Sequence, residues 1–341
     1  MPTKDDLRYF QAMPLEIKLG MTRNRIREWV NRYGVNGVYV SFSGGKDSTV
    51  LLHIVREMYP DIEAVFVNTG LEFPEIQSFV KTFDNVTILH PKMRFDEVIK
   101  KYGYPMISKE VSNTVYYARK NPHGTRGQKL RGELQKCVGP SQFNCEKYEP
   151  LLRVDFSISD KCCDIMKKQP CFEHEKRTNK KPIIGQLAEE SRKRTTAWLQ
   201  TGCNAFEAKR PQSNPMAFWT EQDVLQYIKQ NNIPIASVYG NIIEIGTDGE
   251  QYDKNLFGDG NGKLKTTGRD RTGCVFCGFG CQIKGDHRFE QLKDTHPRQY
   301  EYCIGGGEYV DGIWKPSKEG LGMGHVFDEL NSIYGDGFIK Y

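Results

Sequence analysis

The sequence predicts an α/β protein: a doubly wound, mostly parallel sheet joined to a cysteine-rich C-terminal lobe. Three observations carry that reading. Strand-like and helix-like patterns alternate from residue 35 onward. A Gly-rich turn, Ser43-Gly44-Gly45-Lys46-Asp47-Ser48, links an apolar run to a helical pattern. Ten cysteines occur, with Cys162-Cys163 adjacent and Cys274-Val275-Phe276-Cys277 forming a CxxC.

Residues 1–34 read as a helical preface, because Leu15, Leu19, Ile26, Trp29 and Val30 share one helix stripe. Strands are expected at 35–42, 62–67, 86–89 and 182–185, and helices at about 48–58, after Pro74 and over 189–199. Thr220, with Asp223 three residues on, marks a further helix start. Residues 35–240 then form a nucleotide-binding domain with a basic, irregular insert at about 105–181. Residues 241–272 are rich in Gly, Asp and Asn and read as a long loop or hairpin, so 241–341 is expected to be loop insertion plus lobe.

Composition bounds the function. At 341 residues and a mean hydropathy of −0.61, with no run of 18 apolar residues, a membrane-spanning helix is not expected. The start, Met1-Pro2-Thr3-Lys4, lacks a signal-peptide layout, which predicts a cytoplasmic protein with no membrane partner. Cytoplasmic cysteines are metal or redox ligands before they are disulfides. The net charge of +5 is mild, but Arg119, Lys120, Arg126, Lys129 and Arg131 run without an acid, a candidate track for a polyanion such as RNA or DNA.

The 43–48 turn points backbone N–H groups and a helix N-terminus at one spot, which suits a phosphate. Lys46 adds a cation, and Ser43 and Ser48 add hydroxyls. The spacing is not that of a Walker A loop. At these residues the chain resembles the PP-loop ATP pyrophosphatases, whose hallmark is Ser-Gly-Gly-x-Asp-Ser. That resemblance implies an adenine nucleotide alpha hydrolase-like fold, MgATP as ligand, and cleavage of ATP between the α and β phosphates.

Three further elements resemble the phosphoadenosine-phosphosulfate (PAPS) reductase-like branch. Asn68, Thr69, Gly70 and Glu72 close the second strand and would face the nucleotide. Glu190-Ser191 with Arg192 and Arg194 resembles that branch's Glu-Ser-x-x-Arg element; paired arginines can clamp phosphate or sulfate bidentately, although Glu190 and Arg194 also have the spacing of a helix ion pair. The 219–224 segment, followed by Tyr239-Gly240, resembles its Trp-Thr-x-x-Asp-Val helix and Tyr-Gly turn.

Adjacent cysteines chelate one tetrahedral ion poorly but reach two irons of a cubane more easily. Cys162, Cys163, Cys274 and Cys277 therefore favour a [4Fe–4S] cluster over Zn²⁺, with Cys203 or Cys281 as substitutes. The pattern resembles adenosine-phosphosulfate (APS) reductases and DNA-phosphorothioation sulfurtransferases. Lys161, Lys167 and Lys168 would offset cluster charge, and Lys109 could reach a substrate phosphate.

Two departures decide between branches. The reductases' C-terminal Glu-Cys-Gly-(Leu/Ile)-His nucleophile has no counterpart; the late thiol is Cys303 in a Gly-rich context. The reductases also tend to have a degraded loop, whereas Ser43–Ser48 is intact. The expectation is an ATP-splitting sulfurtransferase in which Lys46, Asp47, Arg192 and Arg194 are catalytic and ATP, Mg²⁺ and [4Fe–4S] are cofactors. The resemblance also implies partners: a sulfur- or electron-donor protein and an acceptor, a nucleic acid if the basic run is its track, with a homodimer open. A PAPS or APS reductase releasing sulfite, or a non-catalytic nucleotide- or nucleic-acid-binding module with a structural metal, are the alternatives.

Overall fold

A computed structural model describes residues 2–135, 143–246 and 262–341. Cys137 and residues 247–261 of the Gly-rich insertion lie outside the described residues. The chain divides into two units: residues 1–68, 72–90 and 171–272 in the first, and 69–71, 91–170 and 273–341 in the second.

The first unit is built on a six-stranded sheet. Strand Val38–Ser41 pairs in parallel with Ala64–Val67 on one side and Lys181–Ile184 on the other. Val86–Leu89 extends the first side in parallel. Gln212–Ser213 adds in parallel to Lys181–Ile184, and Asn204–Ala205 closes that edge antiparallel. The strands are short apolar runs because both faces are covered, as parallel sheets require; Val38, Tyr39, Val40 and Ile183 are fully buried. The helix Lys46–Met58 follows the first strand and buries Val50, Leu51, Ile54 and Val55.

The helical preface spans Leu15–Tyr33 and buries Ile26, Trp29 and Val30, as its stripe requires. Its Lys18 is also buried, held by Asp223 at 2.7 Å and by the Gln11 carbonyl. An additional helix, Lys4–Gln11, precedes it, started by a Thr3/Asp6 capping box of the same kind that starts Glu221–Gln230 at Thr220 and Asp223. Within 241–272, the described strands Ile242–Ile245 and Lys263–Thr266 pair antiparallel and group with the first unit.

The second unit holds small sheets and packed helices. Met106–Ile107 pairs in parallel with Gly278–Phe279, and Glu308–Val310 pairs antiparallel with Ile313–Lys315. Helices include Phe95–Tyr102, Lys109–Lys120, Arg288–Thr295, Pro297–Ile304 and Met323–Tyr334. The expected boundary at 240/241 is therefore displaced: the lobe is not C-terminal alone but combines the 91–170 insert with 273–341. The physical reason is the parallel pairing of 106–107 with 278–279, which closes the insert and the tail around one core. No helix of the described residues is long and apolar enough to cross a membrane.

Candidate active site: a phosphate loop and a cysteine pocket

In the first unit, residues 42–45 turn the chain from the sheet into the helix Lys46–Met58. Gly44 has φ +72°, and a Cβ there would lie 2.8 Å from methyls of Ile76 and Val80, so the turn demands glycine. Ser48 Oγ lies 3.0 Å from Ser43 Oγ and accepts from the Ser43 N–H, closing the loop on itself. The helix start has no side-chain cap from its own N-cap residue, Gly45. Instead the Lys46 N–H donates to the Tyr239 hydroxyl at 3.2 Å, and that hydroxyl lies 2.6 Å from Thr272 Oγ1.

Lys46 is buried. Its Nζ donates to the Asp270 carbonyl at 2.8 Å, pairs with Glu221 at 3.0 Å, and lies 5.7 Å from the centre of the Tyr239 ring. Burial works against the charge, but Asp47, Glu221 and Tyr239 outweigh it, and its pKa is raised. Asp47 is raised mainly by burial, partly offset by Lys46. The Ser43, Gly45 and Lys46 amides thus donate to hydroxyls of Ser48, Ser43 and Tyr239, and the Lys46 charge is balanced by the half-exposed Glu221. Glu221, Asp270 and Thr272 were not legible as loop partners; each is more than 170 residues from Lys46 and sits in a segment that reads as an ordinary helix start or loop.

The 188–194 element is folded differently from a free clamp. Ser191 caps the helix Arg192–Thr201 by accepting from the Arg194 N–H, and Glu190 pairs with the Arg194 guanidinium while accepting from the Leu187 N–H. The helix ion pair that the spacing allows is thus formed. Arg192 stays exposed in a first turn that contains no acid. Cations at the positive end of a helix are unfavourable unless an anion joins them.

The turn after the second strand places Gly70 at φ +75°, and Thr69 Oγ1 accepts from the Leu71 N–H at 3.2 Å. Asn68 and Glu72 group with the first unit, Thr69 and Gly70 with the second.

In the second unit, Cys162, Cys163, Cys274 and Cys277 all line one pocket, with Leu71, Phe95, Pro105, Met166 and Lys167. The cavity itself is small, about 20 Å³. The short helix Lys161–Cys163 continues as a π turn, Asp164–Lys168, a distortion common at functional sites. Cys162 donates to Cys163, which together with Lys109 holds the Cys163 thiol well below its ordinary range and pushes Cys162 up. Burial and Cys274 push Cys277 up to about 11. Among the described residues, no three His, Cys, Asp or Glu side chains converge on a single metal-ion position. The four cysteines share the lining of one pocket without such convergence.

The substitute ligands are not at this pocket. Cys203 belongs to the first unit, where Trp198 Nε1 donates to its sulfur at 3.4 Å. Cys281 is buried and donates to the Gly278 carbonyl. Cys303 is also fully buried, inside Pro297–Ile304 beside Met323, and burial raises its pKa. Of the expected basic track, Arg119 donates to the Leu151, Val154 and Phe156 carbonyls, Lys129 is buried against Glu110, and Arg131 pairs with Glu133. Those three charges are spent on folding the insert. Of the lysines near the pair, Lys168 is paired with Asp164 and Lys167 lines the pocket.

The sequence profile of the phosphoadenosine phosphosulfate reductase domain matches residues 37–117 and 133–277, well over half the chain. The chain belongs to that family. A PAPS reductase of Xylella fastidiosa is 25% identical over 235 residues, covering 69% of this chain and 78% of that one. An APS reductase of Staphylococcus haemolyticus is 26% identical over 215 residues, covering 63% and 70%. An uncharacterised protein of Methanocaldococcus jannaschii is 40% identical, but over 78 residues, 21% of this chain and only 18% of that one. A solved PAPS reductase from Candida auris, a phosphate complex, aligns at 14% identity over 70% of this chain and 91% of that one, with a TM-score of 0.36, a likeness too loose to inform the function. PAPS reductase family membership makes this a nucleotide-binding protein of an enzyme family.

Proposed function

We propose that this family member splits ATP to AMP and pyrophosphate, adenylating an acceptor for sulfur transfer. The observation that carries the reading is the intact, pre-formed 43–48 loop with a buried, fully charged Lys46. A protein that binds a ready-made adenylyl sulfate has no pyrophosphate to hold. One that splits ATP does.

In this reading an acceptor oxygen attacks the α-phosphorus, the bond to the α–β bridging oxygen breaks, and pyrophosphate leaves. Lys46 and the loop amides take up the charge that develops on the leaving group. Asp47 orients Mg²⁺ or the loop. Arg192 and Arg194 hold the α-phosphate or acceptor, with Arg194 released from Glu190, and Asn68, Thr69, Gly70, Glu72 and Ser191 border the nucleotide. A sulfur nucleophile then displaces AMP from the acceptor.

Cys162, Cys163, Cys274 and Cys277 would hold a [4Fe–4S] cluster. The fit rests on four cysteines lining one pocket, with Cys163 favoured as thiolate and Lys109 beside it. Bound there, the cluster supplies a place to hold or deliver sulfur. A single Zn²⁺ would need the sulfurs drawn to one centre.

The second reading is a PAPS or APS reductase, favoured by the names of the relatives. The burial of Cys303 speaks against it. Anaerobic incubation decides: AMP plus pyrophosphate from ATP supports the proposal, whereas sulfite from PAPS or APS with a thiol donor and no ATP consumption would sink it.

A further inference from the structure

The Lys109–Lys120 helix of the second unit has a second face that the loop and cysteine pocket do not account for. Val111, Ser112, Thr114, Val115 and Ala118 are buried and fix its orientation. Lys109, Asn113, Tyr116, Tyr117 and Lys120 recur at helix spacing on the other side. Contacts confirm the shared face. Lys109 reaches Cys163, Asn113 donates to Asp160, and Lys161 Nζ donates to the Tyr117 hydroxyl at 3.1 Å. Lys161 lies 5.7 Å from the centre of the Tyr116 ring and 5.3 Å from that of Tyr117. Lys120 donates to the Tyr116 hydroxyl at 2.7 Å.

The two rings stand edge to face, 5.1 Å apart, and Tyr117 is 41% exposed. The neighbouring acids are occupied: Asp160 by Asn113, Glu110 by Lys129 and Asp164 by Lys168. Lys109 and Lys120 are held by a thiol and a tyrosine, and Lys161 by Tyr117 with a weaker attraction from Asp160. Lys120 lies 4.2 Å from the centre of the Tyr116 ring, so the rings carry lysines that a base would have to displace. Lysines paired with a partly exposed tyrosine pair are the chemistry of a stacking platform for single-stranded nucleic acid.

We infer that this stripe binds single-stranded RNA or DNA along the helix, with one end of the strand at Lys109, beside Cys163. The eleven-residue step from Lys109 to Lys120 spans about 16 Å at 1.5 Å per residue. A duplex hides its base faces and cannot use the tyrosines. The inference rests on the sulfurtransferase reading only in naming the bound strand as the acceptor; binding itself needs no ATP.

The test is fluorescence anisotropy on the full chain without ATP, using labelled oligo(dT) and oligo(U) of about twelve nucleotides and a duplex of the same length, at about 50 and 200 mM salt. Both or either single strand should bind, and the duplex about tenfold more weakly. The better of oligo(dT) and oligo(U) names the sugar. Tyr116→Ala with Tyr117→Ala should weaken binding at least about tenfold, while Tyr117→Phe keeps it. Lys120→Gln with Lys161→Gln, at exposed or half-exposed positions, should lower the log–log salt slope by about 1.4. Melting curves report whether each variant folds; if the tyrosine pair does not, the lysine pair decides. No binding of either single strand, equal binding of the duplex, or unchanged affinity and slope in the folded variants would overturn the inference. Binding lost with AMP formation intact rejects this site alone. Binding intact with no AMP formation rejects the ATP reading alone.

Discussion

The phosphate loop and the cysteine pocket are built by opposite strategies. The loop is local: six consecutive residues make the turn, and Ser43 and Ser48 brace it from within. Distant groups, Glu221, Tyr239, Asp270 and Thr272, only secure what the turn already forms. The pocket is non-local: Leu71, Phe95, Pro105, the 162–167 turn and the 274–277 turn must all meet before it exists. A local site is pre-organised by backbone geometry. A non-local one inherits its precision from the packing of a whole unit.

That contrast can be broken at either centre. The largest expected effect is at the pocket, where Cys277→Ala should abolish iron loading of anaerobically purified protein, read by iron and sulfide analysis; iron equal to that of the unaltered protein would remove the cluster assignment. Next is Lys46→Ala, expected to slow AMP formation by about 10²–10³-fold, the cost of losing one donor to a developing anion. A loss under tenfold would mean that the loop is scaffold.

Gly44→Ala should act through the backbone. At φ +72° and with methyls 2.8 Å from the new Cβ, it should cost about 1–3 kcal/mol and lower Tm by several degrees, about 2–4 °C per kcal/mol. Unchanged Tm would show the turn to be adaptable. The smallest effect is in the scaffold beneath the loop. Burial of Glu63 opposes its charge, but hydrogen bonds from Lys180 and Thr87 win and lower its folded pKa below 4.5. A carboxylate with a depressed folded pKa stabilises above its unfolded value and loses that contribution as pH falls through the folded one. Glu63→Gln should therefore lower Tm at neutral pH, and the difference should fade as pH falls below 4.5.

Legibility in the sequence follows the same divide. The loop, the first sheet strands and the Thr220 capping box could be read directly, because each is fixed by neighbours within a few residues. The Thr3/Asp6 box carried the same signature at the start of Lys4–Gln11. The four cysteines were legible as a set, since thiols announce themselves by spacing, and they line one pocket. What could not be read was which charges were already spent. Arg119 and Lys129 look like surface cations in the chain but are consumed by carbonyls and by Glu110. The unit boundary was equally hidden, because two-residue strands such as Met106–Ile107 have no pattern of their own.

The division of the second unit between an insert and a tail also has a consequence in time. Cys163 and Cys277 are 114 residues apart. A ribosome adding about 5–20 residues per second needs roughly 6–23 s to cover that distance. Throughout that interval the adjacent thiols of the nascent chain have no pocket around them, whereas the first unit's sheet can already close. Oxidation during that interval should therefore yield chains whose first unit folds but whose four cysteines never come to share a pocket.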